Sequence, residues 1–191
     1  MTIKIHKLVE CTFSEGPGKR FAIWVQGCNI HCAGCANREM WDHTAGKEYE
    51  VSEIVEKIRQ NMMRIEGVTF LGGEPFEQIQ AIREIVTSIK PYGLSVLIFT
   101  GYRYEELLGF DDPNIMEILH NTDVLVDGRF DKDDYDLSRP WVGSANQRYL
   151  FLSDRYSDFT LEKNRIEIRI TKDSRIEMIG MANIEVVKSW F

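Results

Sequence analysis

No stretch of this 191-residue chain is long and apolar enough to span a membrane, and its first residues read as neither a secretory apolar region nor a transit-type leader. A basic surplus is missing too: 23 Lys and Arg stand against 30 Asp and Glu, a formal net charge of −7. Non-specific nucleic-acid binding needs a basic footprint, so that class is set aside, and small molecules and proteins remain as partners. Cysteine is scarce: there are four, three of them crowded into one loop, which argues against a disulfide framework and for a reducing compartment, the cytoplasm by default. Internal repeats and low-complexity segments are absent. The rest is the composition of an ordinary globular chain, 43% hydrophobic and 28% charged, long enough to bury one core. We expect a single domain over 1–191, with a core over about 15–152 and a C-terminal extension over about 164–191.

The crowded cysteines carry the most chemistry. Cys28-Asn29-Ile30-His31-Cys32-Ala33-Gly34-Cys35 is a C-x3-C-x2-C array at the end of an apolar run. Three thiolates in one loop can ligate three irons of a cubane cluster and leave the fourth open to a substrate. A zinc site is the competing reading, but it usually arrives as paired knuckles or Cys/His pairs completing four ligands. The only nearby fourth candidates are His31 and His43, neither with a partner at finger spacing. His31 as a ligand would spoil the open iron, so it reads as a solvated or neighbouring group.

Along the chain, Ile3–Val9 alternates as a strand and leads into the glycine-rich turn Glu15-Gly16-Pro17-Gly18. Phe21–Val25 is a continuous apolar run, as in a buried strand, and ends at Gly27-Cys28. Val51, Ile54, Val55, Ile58 and Met62 fall at helical spacing, with Ser52 as N-cap and Gly67 as the stop. Val68–Leu71 is the next strand, ending in Gly72-Gly73. A helix carries Ile79, Ile82, Val86 and Ile89 on one face and ends at Pro91 and Gly93. Strand Leu94–Phe99 ends in Thr100-Gly101, helical pieces follow at Tyr104–Leu108 and Pro113–His120, and strand Asp123–Val126 ends in Asp127-Gly128. Arg148–Leu152 is a further strand. Ile166–Ile170 and Ile176–Met178 alternate about a turn and predict an antiparallel hairpin, read as a strand pair that covers the open edge of the sheet, with a partner-docking surface as the alternative.

Strands separated by helices predict parallel pairing with right-handed crossovers, hence an α/β fold. The chain is short for eight βα units, so a partial, open parallel β/α barrel with a C-terminal β-hairpin is expected. The glycine and polar motifs each follow a strand, and the carboxyl ends of parallel strands are where active sites are built. Other candidates carry less. Cys11 reads as a small buried hydrophobe. The run Asp131–Asp136 lacks the glycine and terminal glutamate of a calcium loop. Trp41 reads as a core aromatic, with a cofactor-wall role as the alternative.

The cysteine array after one strand, followed by Gly72-Gly73-Glu74-Pro75 after the next, resembles the radical S-adenosylmethionine superfamily over about Glu15 to Leu152. Within it the chain is similar to the anaerobic ribonucleotide reductase activating proteins, a group of glycyl-radical activases. That finer likeness is carried by Glu15-Gly16-Pro17-Gly18-Lys19-Arg20, by Gly34 before the last cysteine, by Asp123–Phe130, and by Gly143-Ser144-Ala145-Asn146-Gln147-Arg148.

The resemblance implies a radical S-adenosylmethionine barrel in which Cys28, Cys32 and Cys35 ligate one [4Fe-4S] cluster whose open iron chelates S-adenosyl-L-methionine. It implies cofactor binding by Gly72, Gly73, Glu74 and Pro75, and by Thr100, Asp127 and Asn146 at the later motifs. Glu74 also reads as a cap at the start of the following helix, and both roles can hold together. No catalytic residue is implied beyond these ligands. The implied reaction is reductive cleavage to a 5′-deoxyadenosyl radical, which forms a glycyl radical on the large subunit of anaerobic ribonucleotide reductase. A flavodoxin-like or other low-potential protein would supply the electron. The alternatives are a radical enzyme acting on another glycyl-radical enzyme, a peptide or a small molecule, and a non-catalytic iron–sulfur or zinc protein.

Overall fold

The computed structural model describes residues 1–171, 173–182 and 187. Four apolar runs become parallel neighbours: β2 (Arg20–Val25), β4 (Gly67–Gly72), β5 (Ser95–Phe99) and β6 (Val124–Asp127). Helices α1 (Val51–Asn61), α2 (Ile79–Ile89), α3 (Tyr104–Gly109) and α4 (Pro113–Asn121) lie between them in sequence. Side chains alternate across each strand. Phe21, Ile23, Val68, Phe70, Val96 and Ile98 therefore join Ile54, Ile58, Ile82, Ile85 and Ile118 in one core on the helical side. Their alternates Ala22, Trp24, Leu71, Leu97, Val124 and Val126 belong to two smaller clusters on the other face.

The expected partial, open parallel β/α barrel is met in part: the central sheet is open and mostly parallel, and its two flanks are antiparallel. Among the described residues the sheet has seven strands in the order β3-β1-β2-β4-β5-β6-β7, and it is open: β3 (Lys47–Glu50) and β7 (Arg148–Phe151) are its two edges. Strand β1 (Thr2–Thr12) pairs antiparallel with both β2 and β3, and β7 pairs antiparallel with β6. Only residues 13–19 separate β1 from β2, too few for the crossover that parallel pairing requires. Strand β3, charged and short, escapes the hydrophobic pattern because it is an edge. It runs directly into α1, so the helix starts at Val51 with Glu50 before it, and Ser52 lies inside the first turn rather than capping it. Gly67 opens β4 instead of stopping a helix; a Cβ there would collide with Ser95 and Arg20.

Arg20 occupies that space. It is fully buried at the start of β2, and burial lowers its pKa. Its guanidinium donates to Thr69 Oγ1 at 3.0 Å, Val68 O at 2.6 Å, and Ser95 Oγ at 2.5 Å and O at 3.2 Å. The amino ends of three parallel strands are thus tied by one side chain.

The C-terminal hairpin, β8 (Glu167–Ile170) and β9 (Ile176–Ile179), forms a separate two-stranded sheet. It pairs with neither edge of the main sheet, so the expected edge cover is corrected as well. Of the expected extension, residues 172, 183–186 and 188–191 lie outside the described residues. Among the described residues no helix is long and apolar enough to cross a membrane.

Candidate active site

The cysteine loop leaves β2 at its carboxyl end and is pinned at both of its own ends. Gly27 N donates to Met40 O at 2.8 Å and Cys28 N to Trp41 O at 3.2 Å. The buried Gln26 side chain donates to Glu39 O at 3.0 Å and Asp42 O at 2.8 Å. Gly34 has a φ of +82°, a left-handed conformation natural to glycine, and packs beneath Phe130 and Lys132. Cys35 N donates to Cys32 O at 3.1 Å, which tightens the last turn.

Cys28, Cys32 and Cys35 line one cavity of about 170 Å³ together with Gly72, Gly73 and Glu74 after β4, Thr100 and Gly101 after β5, and Gly128 after β6. The strand-end motifs therefore meet at one rim, as the parallel pattern predicts. Cys28 is buried and the other two thiols are half-buried. Burial pushes the Cys28 thiol up to about 11 and raises Cys32 as well. At Cys32 burial outweighs the pull of the Arg129 guanidinium, whereas a bound iron cation would hold the thiolate form. Among the described residues no three His, Cys, Asp or Glu groups converge to hold a single ion. Three thiols around a cavity instead fit a body with separate iron corners, so the donor set suits a cluster better than one zinc.

Gly72 and Gly73 fit tightly against the end of β2. Gly72 has a φ of +106° and a Cβ there would lie 2.8 Å from Trp24 Cα, while one on Gly73 would collide with Gly27 O. Gly73 N donates to Val25 O at 2.9 Å and Glu74 N to Gly27 O at 2.8 Å, so the glycine turn and the cysteine loop share a seam. Glu74 is buried and its carboxylate is engaged: Oε1 accepts from Phe76 N at 3.0 Å and Thr100 Oγ1 at 2.9 Å, and Oε2 from Gly101 N at 2.9 Å. It caps the short 3-10 turn Pro75–Glu77 and bridges the ends of β4 and β5. Burial pushes its pKa up to about 7 despite those donors. Pro75 is buried inside that turn, off the cavity lining.

Two other expected site residues lie off the lining. Asp127 is buried, its carboxylate held by Arg148 Nε at 2.9 Å and Nη2 at 2.5 Å and by Tyr104 N at 2.8 Å. Asn146 donates to Arg129 O at 2.9 Å, and its buried Oδ1 has no hydrogen-bond partner among the described residues. Trp41 lines the cavity half-buried, stacked on exposed His31 at 4.5 Å, so it walls the site and is not a core aromatic. His43 turns away, with Nε2 3.2 Å from both Asn29 Oδ1 and Glu77 Oε2. Cys11 is half-buried and packs against the main core.

Sequence reasoning did not assign to the site the lining residues Ile30, Asn37, Phe99, Gly101, Gly128, Phe130 and Gln147. Phe130 ends one motif segment already singled out and Gln147 lies within another, so position within those segments was the available signal. Gln147 Nε2 donates to Gly128 O at 3.1 Å, and its Oε1 accepts from Gly143 N at 2.8 Å, which fastens the β6 loop to the loop before β7.

Residues 14–150 match the family described as a 4Fe-4S single cluster domain. A protein of Pasteurella multocida (strain Pm70) is 32% identical over 140 residues, covering 70% of this chain and 87% of the relative. One from Enterobacteria phage T4 is 29% identical over 147 residues, 74% of this chain and 90% of the relative. One from Escherichia coli (strain K12) is 29% identical over 149 residues, 74% of this chain and 94% of the relative. All three carry the name anaerobic ribonucleoside-triphosphate reductase-activating protein. With that match across the cysteine loop and every strand-end motif that lines the cavity, the chain belongs to the 4Fe-4S single cluster domain family and, within it, to the anaerobic ribonucleoside-triphosphate reductase-activating proteins.

Proposed function

We propose that this protein is an iron–sulfur enzyme that activates anaerobic ribonucleotide reductase by forming a glycyl radical on it. The observation that carries the reading is the single cavity shared by Cys28, Cys32, Cys35 and the Gly72-Gly73-Glu74 turn, in a chain whose relatives bear that activity in their names.

The three cysteines would hold a [4Fe-4S] cluster as thiolates, leaving one iron for S-adenosyl-L-methionine. When bound and reduced by an external donor, the pair would supply cleavage of the sulfonium S–C5′ bond to methionine and a 5′-deoxyadenosyl radical, which would take a hydrogen atom from a glycine Cα. The chain's part is to orient and shield. Gly72 and Gly73 let backbone approach the cavity without side-chain bulk. Glu74, already bonded to Thr100 and Gly101, keeps the ends of β4 and β5 at fixed separation, which makes Thr100 a supporting residue of the cofactor site. Trp41, Phe99 and Phe130 exclude water from the reacting atoms. Asp127 acts at one remove, as the anchor of Arg148 at the β6 end. Asn146, off the cavity lining, also acts at one remove, holding the loop after β6 by its bond to Arg129 O, with its buried Oδ1 unpartnered among the described residues. A low-potential donor such as a flavodoxin-like protein would reduce the cluster, in a reducing compartment such as the cytoplasm.

The test is anaerobic. The reconstituted, dithionite-reduced protein, given S-adenosylmethionine and an anaerobic ribonucleotide reductase from the same organism, should yield a glycyl-radical doublet by electron paramagnetic resonance, absent in Cys32→Ala. Formation of 5′-deoxyadenosine without a doublet would leave the radical chemistry and remove the partner. No cleavage by protein with a full cluster would remove both.

A further inference from the structure

A second cavity of about 610 Å³ adjoins the first and shares Cys35, Asn37, Gly72, Phe99, Phe130 and Gln147 with it. Its floor is the non-helical face of the sheet, with Trp24 and Leu71, and one wall is the segment Met178–Ala182. That wall lies beyond residues 14–150, the span that matches the family.

The segment is strapped across the open sheet at two places far apart. On the β1 side, Phe13 N donates to Glu167 Oε1 at 2.6 Å, Arg169 donates to Cys11 O, and Lys7 pairs with Glu177 at 3.6 Å. Ile179 is buried there with Val9, Ala22 and Trp24. Gly180, with a φ of +109°, packs against Ser14 beside the buried Glu15. On the far side, Asn164 Nδ2 donates to Leu137 O and Arg139 O, both at 3.0 Å, and its Oδ1 accepts from Trp141 N at 3.0 Å. Met181 ends this span: its Cε reaches Gly143, 3.4 Å from where a Cβ would stand, on the same spot that Phe130 covers at 3.0 Å. Phe130 lines both cavities, and Met181 lines the second beside it, over Gly143.

We infer that Met181 sets the width of the passage through which a polypeptide segment of the reductase reaches the cluster cavity, making it a specificity-determining residue for the partner. This rests on the activase reading. The chemistry fits a narrow, glycine-containing loop. The volume is that of a ligand site holding a few residues, aromatic walls at Trp24, Phe99, Phe130 and Trp141 stand beside Lys7, Glu15 and Glu39, and the reacting end is ringed by glycines. A radical that must reach a backbone Cα needs a passage that admits main chain and rejects bulky neighbours. Methionine suits such a passage because its unbranched side chain can repack against the incoming segment.

The test separates cofactor cleavage from partner entry. Met181→Trp should raise the reductase concentration for half-maximal radical formation about tenfold while partner-free 5′-deoxyadenosine formation stays within about twofold of the unaltered protein. Met181→Ala should activate a reductase carrying a bulkier residue beside its radical glycine, which the unaltered protein rejects. Gly180→Ala, strained by its φ and by collision with Arg165 O, should displace the strap and reproduce the Met181→Ala relaxation. Unchanged half-saturation in Met181→Trp, or a fall of partner-free cleavage in step with activation, would overturn the inference. If the unaltered protein cleaves no S-adenosylmethionine, the activase reading falls first and this inference with it.

Discussion

The two ends of the same parallel strands have opposite characters. At the amino ends, Arg20 spends its guanidinium on Thr69, Val68 and Ser95, and Tyr156 closes the cluster with a 2.8 Å bond to Ser95 Oγ. At the carboxyl ends, glycines replace side chains, three thiols stand around a cavity, and an asparagine oxygen is left without a partner among the described residues. One rim is saturated with internal hydrogen bonds and the other keeps its capacity for something bound. A buried carboxyl sits near each: Glu15 and Glu74 are both pushed up to about 7, chiefly by burial. The lesson is that the rigid end holds strand spacing so that the chemical end can remain open.

Breaking this contrast should give graded effects. The largest comes at the open rim. Cys32→Ala should abolish glycyl-radical formation and bind less iron per chain, with an unchanged far-ultraviolet circular dichroism spectrum; a spectrum that collapses would mean the thiol loop also stabilises the fold. Next, Arg20→Met should cost about 4 kcal/mol in urea unfolding, since several buried polar groups lose their partner at once. A loss under about 1 kcal/mol would show that water replaces the guanidinium there.

A smaller effect titrates. Glu15 is harder to ionise folded than unfolded, so between its ordinary value of 4.5 and about 7 the folded chain binds more protons. Its contribution to stability is present in full below pH 4.5 and is lost as pH rises through about 7. Glu15→Gln cannot ionise, so its stability relative to the unaltered protein should rise by up to about 3 kcal/mol across that window. A flat difference between the two proteins would place the Glu15 carboxyl in water. The smallest effect is steric. Gly73→Ala should cost about 2 kcal/mol, because its Cβ must push Gly27 O aside, and should reduce S-adenosylmethionine cleavage more than iron binding. Equal losses of both would mean that the seam supports the cysteine loop more than the cofactor.

Much of the parallel core was legible as pattern. The runs at Phe21, Val68 and Val96 are continuous because both faces are buried, and α2 shows its apolar stripe because one face is. Strand β3 was not legible, since Lys47-Glu48-Tyr49-Glu50 is held by backbone bonds to β1 and buries almost nothing. Asp127 read as a site residue because it ends a strand in a motif, yet Arg148, 21 residues away in sequence, occupies its carboxylate. Trp41 read as core because a large aromatic usually is, but it follows a loop that ends at a cavity.

By itself, the sequence determined the thiol loop, the glycine turn and their position after strands. Those are properties of contiguous residues, where spacing along the chain limits spacing in space. Only the tertiary structure decided the antiparallel flanks, the placing of Gln147 and Phe130 at the cavity, and the hairpin lying over the sheet face rather than along its edge. Each of these depends on which distant groups satisfy a buried donor, acceptor or apolar surface, and local pattern does not encode that choice.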